Sequence, residues 1–575
     1  MKIIHFSKPA QITKNPSDNQ SDIHIFTQFF IHPTSVQRNA ELRECLKKNV
    51  ENPHITKIHL INERIYSAAE LGTVSLEKIR QTVSTGKRLK FQDVFTYIRV
   101  NALLGFLVLT NSDIFFDDTL GNLGMSDIQD VQHNNKNSKK MFAQLRYEYS
   151  PHIGESGAPI FGPRFDSQDT WIFHSNNMIT ETQERAFNYE FGKPGCDNKF
   201  AYLVAILGYE IINDPAFIKT YHYHREQRRD YGYKDIITDP WAAVVPAGVN
   251  SPMTIPPSIG IDLAVCARAT RNFKEIQFGD NKRLYDYIST KLATGAPFII
   301  PRISGIENNV AVFARMGKLN GGGFSKDMMN YMSRIMPAMK NNAGIRMSSI
   351  QSTIRYSDLY LAAFDNCEVF CGWEPQGNYI HHIAQSHEWM MSTYGSGRSV
   401  YWALALDIFH YIHDSPWTTA LKGRRILIIS PFEASFKEKL ANRAAIYDGV
   451  DLFPECEFVF IKPPQTQANE NSDEFDAELD RFYGRLDTIR DTYDVALVSC
   501  GGYANPVCNY IFTQHKKSAM YIGGVLQMYF GVLGSRWYKE RPDVVRLYLN
   551  EHWSKHPKSE ERPKGSEQVE GGCYW

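Results

Sequence analysis

Neither sign of charge is in excess in this chain of 575 residues: 63 Lys and Arg stand against 63 Asp and Glu. A duplex DNA binder normally carries a basic surplus, so nucleic acid is not favoured as the main partner. Cysteine is sparse and scattered. The nine thiols are odd in number and contain no CxxC pair, which fits a reducing compartment and free, buried side chains. Long apolar runs are missing. The longest, around 102–110 and 201–212, fall far short of a bilayer span, so no transmembrane segment is expected. The opening Met1-Lys2-Ile3-Ile4-His5-Phe6 leads into no stretch apolar enough for a signal peptide. No repeat recurs at a period of 20–50 residues. These absences predict a soluble cytoplasmic protein, in the host cytoplasm for a viral source.

Aromatic side chains are plentiful. Thirty-four Phe, 30 Tyr and 9 Trp make up 13% of a chain that is 43% apolar and 22% charged, enough to bury a large core. The length suits several domains or a few large ones. Residues 236–260 carry Pro240, Pro246, Pro252, Pro256 and Pro257, and mark the main boundary. The expected organisation is a first domain over 1–235, a linker over 236–275, a second domain over 276–550, and a mobile charged tail over 551–575. Residues 8–22 and 124–140 read as polar, exposed stretches.

Upstream of the boundary, apolar strands alternate with helices. Strands are expected at 22–31, 55–61 and 105–110, and helices at 36–49 and 91–103. Downstream, a helix near 282–292 leads to a strand at 298–300, and further strands are expected at 424–429, 458–461 and 495–498. Short buried strands separated by amphipathic helices predict an α/β fold, with parallel sheets covered on both faces. In such sheets ligands sit outside the carboxyl ends of the strands.

The strand at 105–110 runs straight into Asn111-Ser112-Asp113, which places a carboxylate at that crevice. A turn that merely ends the strand would use the same residues. Three more clusters follow. Asp169 precedes an aromatic strand. Asp197, after Lys193-Pro194-Gly195-Cys196, opens an apolar helix that it could also cap. In Tyr221-His222-Tyr223-His224, a strand would turn both histidines to one side, where they could share a metal or phosphate or serve a structural role.

In order, the segments LVLTNSDIFFDDTL, SQDTWIFH, FGKPGCDNKFAYLVAILGYEIINDP and YHYHREQRRDY resemble a GT-A-type nucleotide-sugar glycosyltransferase of bacterial and large-virus polysaccharide enzymes, over roughly 20–235. The resemblance implies a Rossmann-like domain that uses Mn²⁺ or Mg²⁺ and a nucleotide-sugar donor such as a UDP-sugar. Its acceptor would be a glycan or glycoprotein. The family's D-x-D element falls on Asn111-Ser112-Asp113, with its first acid replaced by an amide. Asp113 is then the first metal ligand, completed by His222 or His224. Imidazole beside carboxylate suits Mn²⁺ better than Mg²⁺. Asp197 is the expected base for the acceptor hydroxyl, with Asp169 the second choice or an acceptor-binding residue; a base on the acceptor side implies inversion. Gln28, Arg38 and Asn111 are placed near the nucleotide.

Two glycine turns follow strands in the second half: Gly501-Gly502 after 495–498, and Gly523-Gly524 after Met520-Tyr521-Ile522. A strand, a glycine turn and a helix N-terminus can bind a phosphate, and close packing of strand to helix needs the same glycines. The segments SPWTTALKGRRILIISPF and DVALVSCGGYANPVCNYIFTQHKKSAMYIGGVLQMYFGVLGSRW resemble a GT-D-type domain of polysaccharide synthesis. That family carries an R-x-G-D-G-E-like element. In FIIPRISGIE, Arg302 and Glu307 match it, and Gly305 stands where the metal-binding Asp is expected. The resemblances together imply two Rossmann-like domains, GT-A-like then GT-D-like, adding a hexose or deoxyhexose in each of two successive steps. The alternative is one active transferase domain with a non-catalytic glycan-binding or scaffold domain. A hydrolase elbow at Gly154-Glu155-Ser156-Gly157-Ala158 lacks the final glycine and a preceding strand.

Overall fold

The computed structural model describes the chain except residues 1–20, 73–74, 85, 87, 125–138, 163, 165, 227–230, 239–240, 243, 245, 247–278, 322, 373–383, 407–408, 410–411 and 414–415. Most of the polar stretch 8–22, of the loop 124–140 and of the linker therefore lies outside the described residues. The chain divides into two compact units, Met1–Lys274 and Glu275–Trp575. Both are α/β, and each has its own sheets.

In the first unit, β1 (Ile23–Thr27), β2 (Lys57–Asn62), β3 (Ile79–Val83) and β4 (Phe106–Thr110) pair in parallel. Every residue of β1 and β4 is buried, because helices cover both faces and leave no place for alternation. The helix Val36–Glu51 joins β1 to β2; Ser35 caps it, its side chain accepting from the Arg38 N–H. The helix Phe91–Val100 leads to β4.

A small second sheet is made of β5 (Ile114–Phe116), β7 (Tyr147–Glu148) and β10 (Thr220–His222), with β10 in the middle. The main sheet continues with β6 (Lys139–Gln144), β8 (Thr170–His174) and β9 (Tyr209–Ile212), in the order β3-β2-β1-β4-β8-β6-β9. The expectation of a parallel sheet is corrected here. β8 runs antiparallel to both β4 and β6. An apolar run such as Trp171-Ile172-Phe173 buries equally well in either direction, so its composition carries no sign of polarity.

That reversal matters for chemistry. Thr170 pairs with Thr110, so the start of β8 lies beside the end of β4. From β1 the chain goes to β2 and β3 on one side and returns to β4 on the other. The switch point therefore falls between β1 and β4, where an open α/β sheet places its ligand crevice.

In the second unit, β11 (Ile299–Ile300), β14 (Arg425–Ile429), β15 (Glu457–Ile461), β16 (Val495–Val498) and β17 (Ser518–Tyr521) form a wholly parallel sheet in the order β11-β17-β16-β14-β15. A separate parallel pair joins β12 (Val369–Gly372) to β13 (Ser399–Trp402).

Two boundary expectations change. The described residues of 236–246 pack on the first unit: Ala242 N–H donates to Asn198 O at 2.9 Å, and Asn213 Nδ2 to Val244 O at 2.9 Å. The segment 551–575 is packed against the second unit rather than being a mobile tail. Trp553, Glu561, Val569 and Cys573 are buried. Trp553 Nε1 donates to Ile446 O at 2.9 Å and Gln527 Nε2 to Tyr574 O at 2.8 Å. A few aromatic and hydrogen-bonded anchors outweigh the segment's charged composition. Among the described residues no helix is long and apolar enough to cross a membrane, and the described cysteines are buried and not joined in disulfides.

Candidate active site

The carboxyl ends of β1 and β4 open into a cleft of about 1040 Å³. Gln28, Arg38, Asn111, Asp113, Asp169, Asp197, His222 and His224 all line it. Local pairing explains the convergence. β5 starts one residue after Asp113, and β10 pairs antiparallel with it, His222 opposite Ile114. Tyr223 N–H then donates to Asp113 O at 2.9 Å, and the histidines on either side of Tyr223 flank the carboxylate.

Asp113 Oδ2 lies 3.3 Å from His222 Nε2, 3.5 Å from His224 Nδ1 and 2.5 Å from Arg38 Nη2. Burial acts to raise the pKa of Asp113, but His222 and Arg38 outweigh it and hold the carboxyl well below the usual range. Burial likewise acts to lower the pKa of His222, and Asp113 with Glu148 overcomes this, pushing it up to about 9. His222 Nδ1 is engaged by Glu148 Oε2 at 3.0 Å, which leaves Nε2 facing Asp113. Glu148 is held in turn by Arg146 Nε at 2.8 Å.

These residues fit a divalent cation. One donor atom from each of Asp113, His222 and His224 lies within 4.8 Å of the others. His224 Nε2 is buried with no hydrogen-bond partner. A ligand histidine whose second nitrogen meets a carboxylate is the usual support for a metal, and Glu148 supplies that carboxylate. Two imidazoles and one carboxylate suit Mn²⁺ and its transition-metal neighbours better than Mg²⁺.

Next along the cleft stand two acids. Asn111 Nδ2 donates to Asp169 Oδ1 at 2.6 Å, which engages one of its two amide N–H groups. Asp169 also forms an ion pair with Arg146. Asp197 accepts from the N–H of Gln168 at 3.1 Å and of Asn198 at 3.0 Å, at the start of the helix Cys196–Ile206. Burial, then the charge of Asp169, pushes its pKa up to about 7, against those N–H donors. Gln28 spans the far wall, its Oε1 accepting from Leu89 N–H at 2.9 Å and its Nε2 donating to Glu63 Oε2 at 3.3 Å.

Arg146, Glu148 and Trp241 were not singled out from sequence, yet Arg146 and Trp241 line the cleft and Glu148 holds His222. Arg146 directly precedes the two-residue β7 and Glu148 ends it, and their place at the site comes from the pairing of β7 with β10, for which so short a strand gives no sequence signal.

The second unit holds its expected residues differently. Arg302 Nη1 donates to Ile522 O at 2.9 Å, and its guanidinium lies over the Tyr521 ring at 4.7 Å and against Gly523. Glu307 is buried in the first turn of the helix Ile306–Leu319, its pKa raised by that burial. A Cβ on Gly502 would stand 2.4 Å from the Ile345 side chain, and one on Gly501 2.9 Å from Ala343 O. Tyr574 covers Gly524 as closely, at 2.4 Å. These turns are filled by the protein's own atoms, the close-packing use of glycine. No protein-family model matches this chain, and no curated protein is similar to it in sequence.

Proposed function

We propose that the first unit is a GT-A-like glycosyltransferase that moves a sugar from a nucleotide-sugar donor to an acceptor hydroxyl. The observation that carries this reading is the sharing of one switch-point cleft by a carboxylate–imidazole metal set and a carboxyl group whose pKa lies near 7. A divalent ion, when bound by Asp113, His222 and His224, supplies the positive charge that a departing nucleoside diphosphate needs. Arg38 adds a second cation on the same side. Asp197 takes the proton from the acceptor hydroxyl, whose oxygen forms the new bond to the anomeric carbon as the bond to the diphosphate breaks. A base acting directly on the acceptor makes this a single displacement with inversion. A pKa near the working pH suits a general base.

For the second unit, the filling of its glycine turns by Ile345, Ala343 and Tyr574 favours a non-catalytic glycan-binding or scaffold role on a GT-D-like fold. The bifunctional reading requires Arg302 and Glu307 to serve a second donor site. The experiment is donor hydrolysis and transfer with UDP-, GDP- and dTDP-sugars in Mn²⁺, on the full chain and on Asp113→Ala. Metal-dependent release of nucleotide that Asp113→Ala abolishes supports the reading. Absence of release with every donor, or turnover unchanged in Asp113→Ala, rejects it.

A further inference from the structure

The cleft has a wall that none of the chemistry above uses. Trp241, Ile236 and Tyr231 line it. Ile236 and Trp241 belong to a segment whose prolines suggest a linker, yet its described residues are latched to the turn that presents Asp197. Lys193 Nζ meets Asp235 Oδ1 at 2.7 Å, and Ile237 N–H donates to Pro194 O at 2.9 Å. Ala242 N–H donates to Asn198 O at 2.9 Å, and Asn198 Nδ2 returns a bond to Ala242 O at 3.1 Å. Trp241 Nε1 donates to Ile237 O at 2.9 Å, which fixes the indole within its own loop.

The ring rests against Gly195, two residues before Asp197. A Cβ there would lie 3.2 Å from Trp241 Nε1 and 3.4 Å from Cε2. Gly195 has φ +79 and is the residue at which the helix Cys196–Ile206 begins. Both its conformation and the indole behind it call for glycine.

A series of neighbours runs through the site. Asp113 is two residues from Asn111, the Asn111 amide bonds Asp169, the backbone N–H of the adjacent Gln168 bonds Asp197, and Gly195, two residues before Asp197, packs against Trp241. The diphosphate end of a donor belongs with the cationic side chains at Asp113. Trp241 is at the other end of the series, beyond the base.

From this arrangement, and resting on the transferase reading, we infer that Trp241 is the acceptor platform and that the acceptor presents a pyranose ring to it. The C–H face of a pyranose is apolar and weakly positive, complementary to the negative face of an indole. Its hydroxyls project from the rim, where Asp197 can reach one of them. An aliphatic or peptide hydroxyl acceptor has no use for a flat, pre-fixed aromatic wall. Because the indole N–H is already bonded, the surface it offers is its ring.

The test uses the full chain as wild type, Trp241→Ala and Trp241→Phe. Binding of a panel of methyl hexopyranosides is followed by saturation-transfer NMR, binding of UDP, GDP and dTDP with Mn²⁺ by calorimetry, and donor hydrolysis in water by nucleotide release. The expected result is a loss of pyranoside affinity of about tenfold or more in Trp241→Ala, with affinity kept in Trp241→Phe and nucleotide affinity unchanged in both. Equal pyranoside affinity in wild type and Trp241→Ala overturns the inference. So does a parallel fall in nucleotide affinity, which would make the indole a nucleobase platform. Hydrolysis of a donor by a wild type that binds no pyranoside overturns the platform and leaves the transferase standing. Pyranoside binding that depends on Trp241, with no hydrolysis of any donor, rejects the transferase and leaves a glycan-binding cleft.

Discussion

Arg38 Nη2 lies 2.5 Å from Asp113 Oδ2, and the two side chains are 12% and 11% exposed. The guanidinium is also held by Glu41 Oε2 at 3.3 Å, on the helix that follows β1. Arg38 thus neutralises the carboxylate that a metal would need, and a divalent ion has to share Asp113 with it. Replacing Arg38 by Gln removes the competing cation. Mn²⁺ binding to Arg38→Gln is expected to tighten about tenfold, about 1.4 kcal/mol, by titration followed with electron paramagnetic resonance. Nucleotide affinity at saturating Mn²⁺ should fall in the same variant, because a cation near the diphosphate is gone. Unchanged Mn²⁺ affinity would place the ion away from Asp113.

Asp197 gives a prediction whose sign differs between activity and stability. Its pKa in the folded protein is about 7, above the ordinary value of 3.8. The folded state therefore binds the extra proton between those values. The stabilisation this brings is complete below about pH 4 and is lost as pH rises through 7. At pH 8 the charged, partly buried carboxylate costs the fold on the order of 1–2 kcal/mol, after allowance for partial exposure. Asp197→Asn should therefore melt higher than wild type at pH 8, with a much smaller difference at pH 5. Transfer should fall at least about 10²-fold at every pH if this group is the base. Equal melting shifts at both pH values would show that the carboxyl is not strained.

How far the sequence reveals this architecture depends on the length of each signal. β4 and β16 are almost wholly apolar and β1 is mainly so, with His24 and Thr27 among its apolar residues, and all three could be read directly. β5, β7 and β10 have three, two and three residues, too few to show a period, although β5 and β10 bring His222 to Asp113. Alternation along any extended segment put His222 and His224 on one side, and the resemblance of Asn111-Ser112-Asp113 to a D-x-D element supplied the carboxylate set beside them. The support from Glu148 and Arg146 was not legible, because it depends on a pairing between β7 and β10 across more than 70 residues of chain. The 551–575 segment misleads by composition, since its anchors are single side chains separated by charged residues.

One of those anchors is Glu561. Its carboxylate accepts from the N–H groups of Ala434 at 2.7 Å and Ser435 at 3.1 Å, and from Ser435 Oγ. Glu561 and Ser435 are both nearly inaccessible to solvent. Glu561→Ala leaves these donors buried without an acceptor, at a cost of about 2–4 kcal/mol. Urea unfolding should show the second unit's transition at lower denaturant, with the first unit's unchanged. Removal of 551–575 should lower it further. A truncated chain as stable as wild type would make the segment an accessory rather than part of the fold.

Asp169 decides between two accounts of the base. It is tied to Asn111 and Arg146, and its negative charge is the second cause, after burial, that raises the pKa of Asp197. If Asp197 takes the acceptor proton, Asp169→Asn removes that repulsion while Arg146 keeps Glu148 at 2.8 Å. The acidic limb of the kcat profile should then move to lower pH, because Asp197 ionises more readily. The plateau rate should fall by less than about fivefold, because a lower pKa makes a slightly weaker base. If Asp169 is itself the base, the same substitution removes it, and the rate should fall about 10²-fold or more with no shift of the limb. Paired pH profiles of Asp169→Asn and Asp197→Asn, read as nucleotide release in the presence of a pyranoside acceptor, distinguish the two. A shifted limb in the first and an activity loss in the second identify Asp197 as the base and Asp169 as the charge that tunes it.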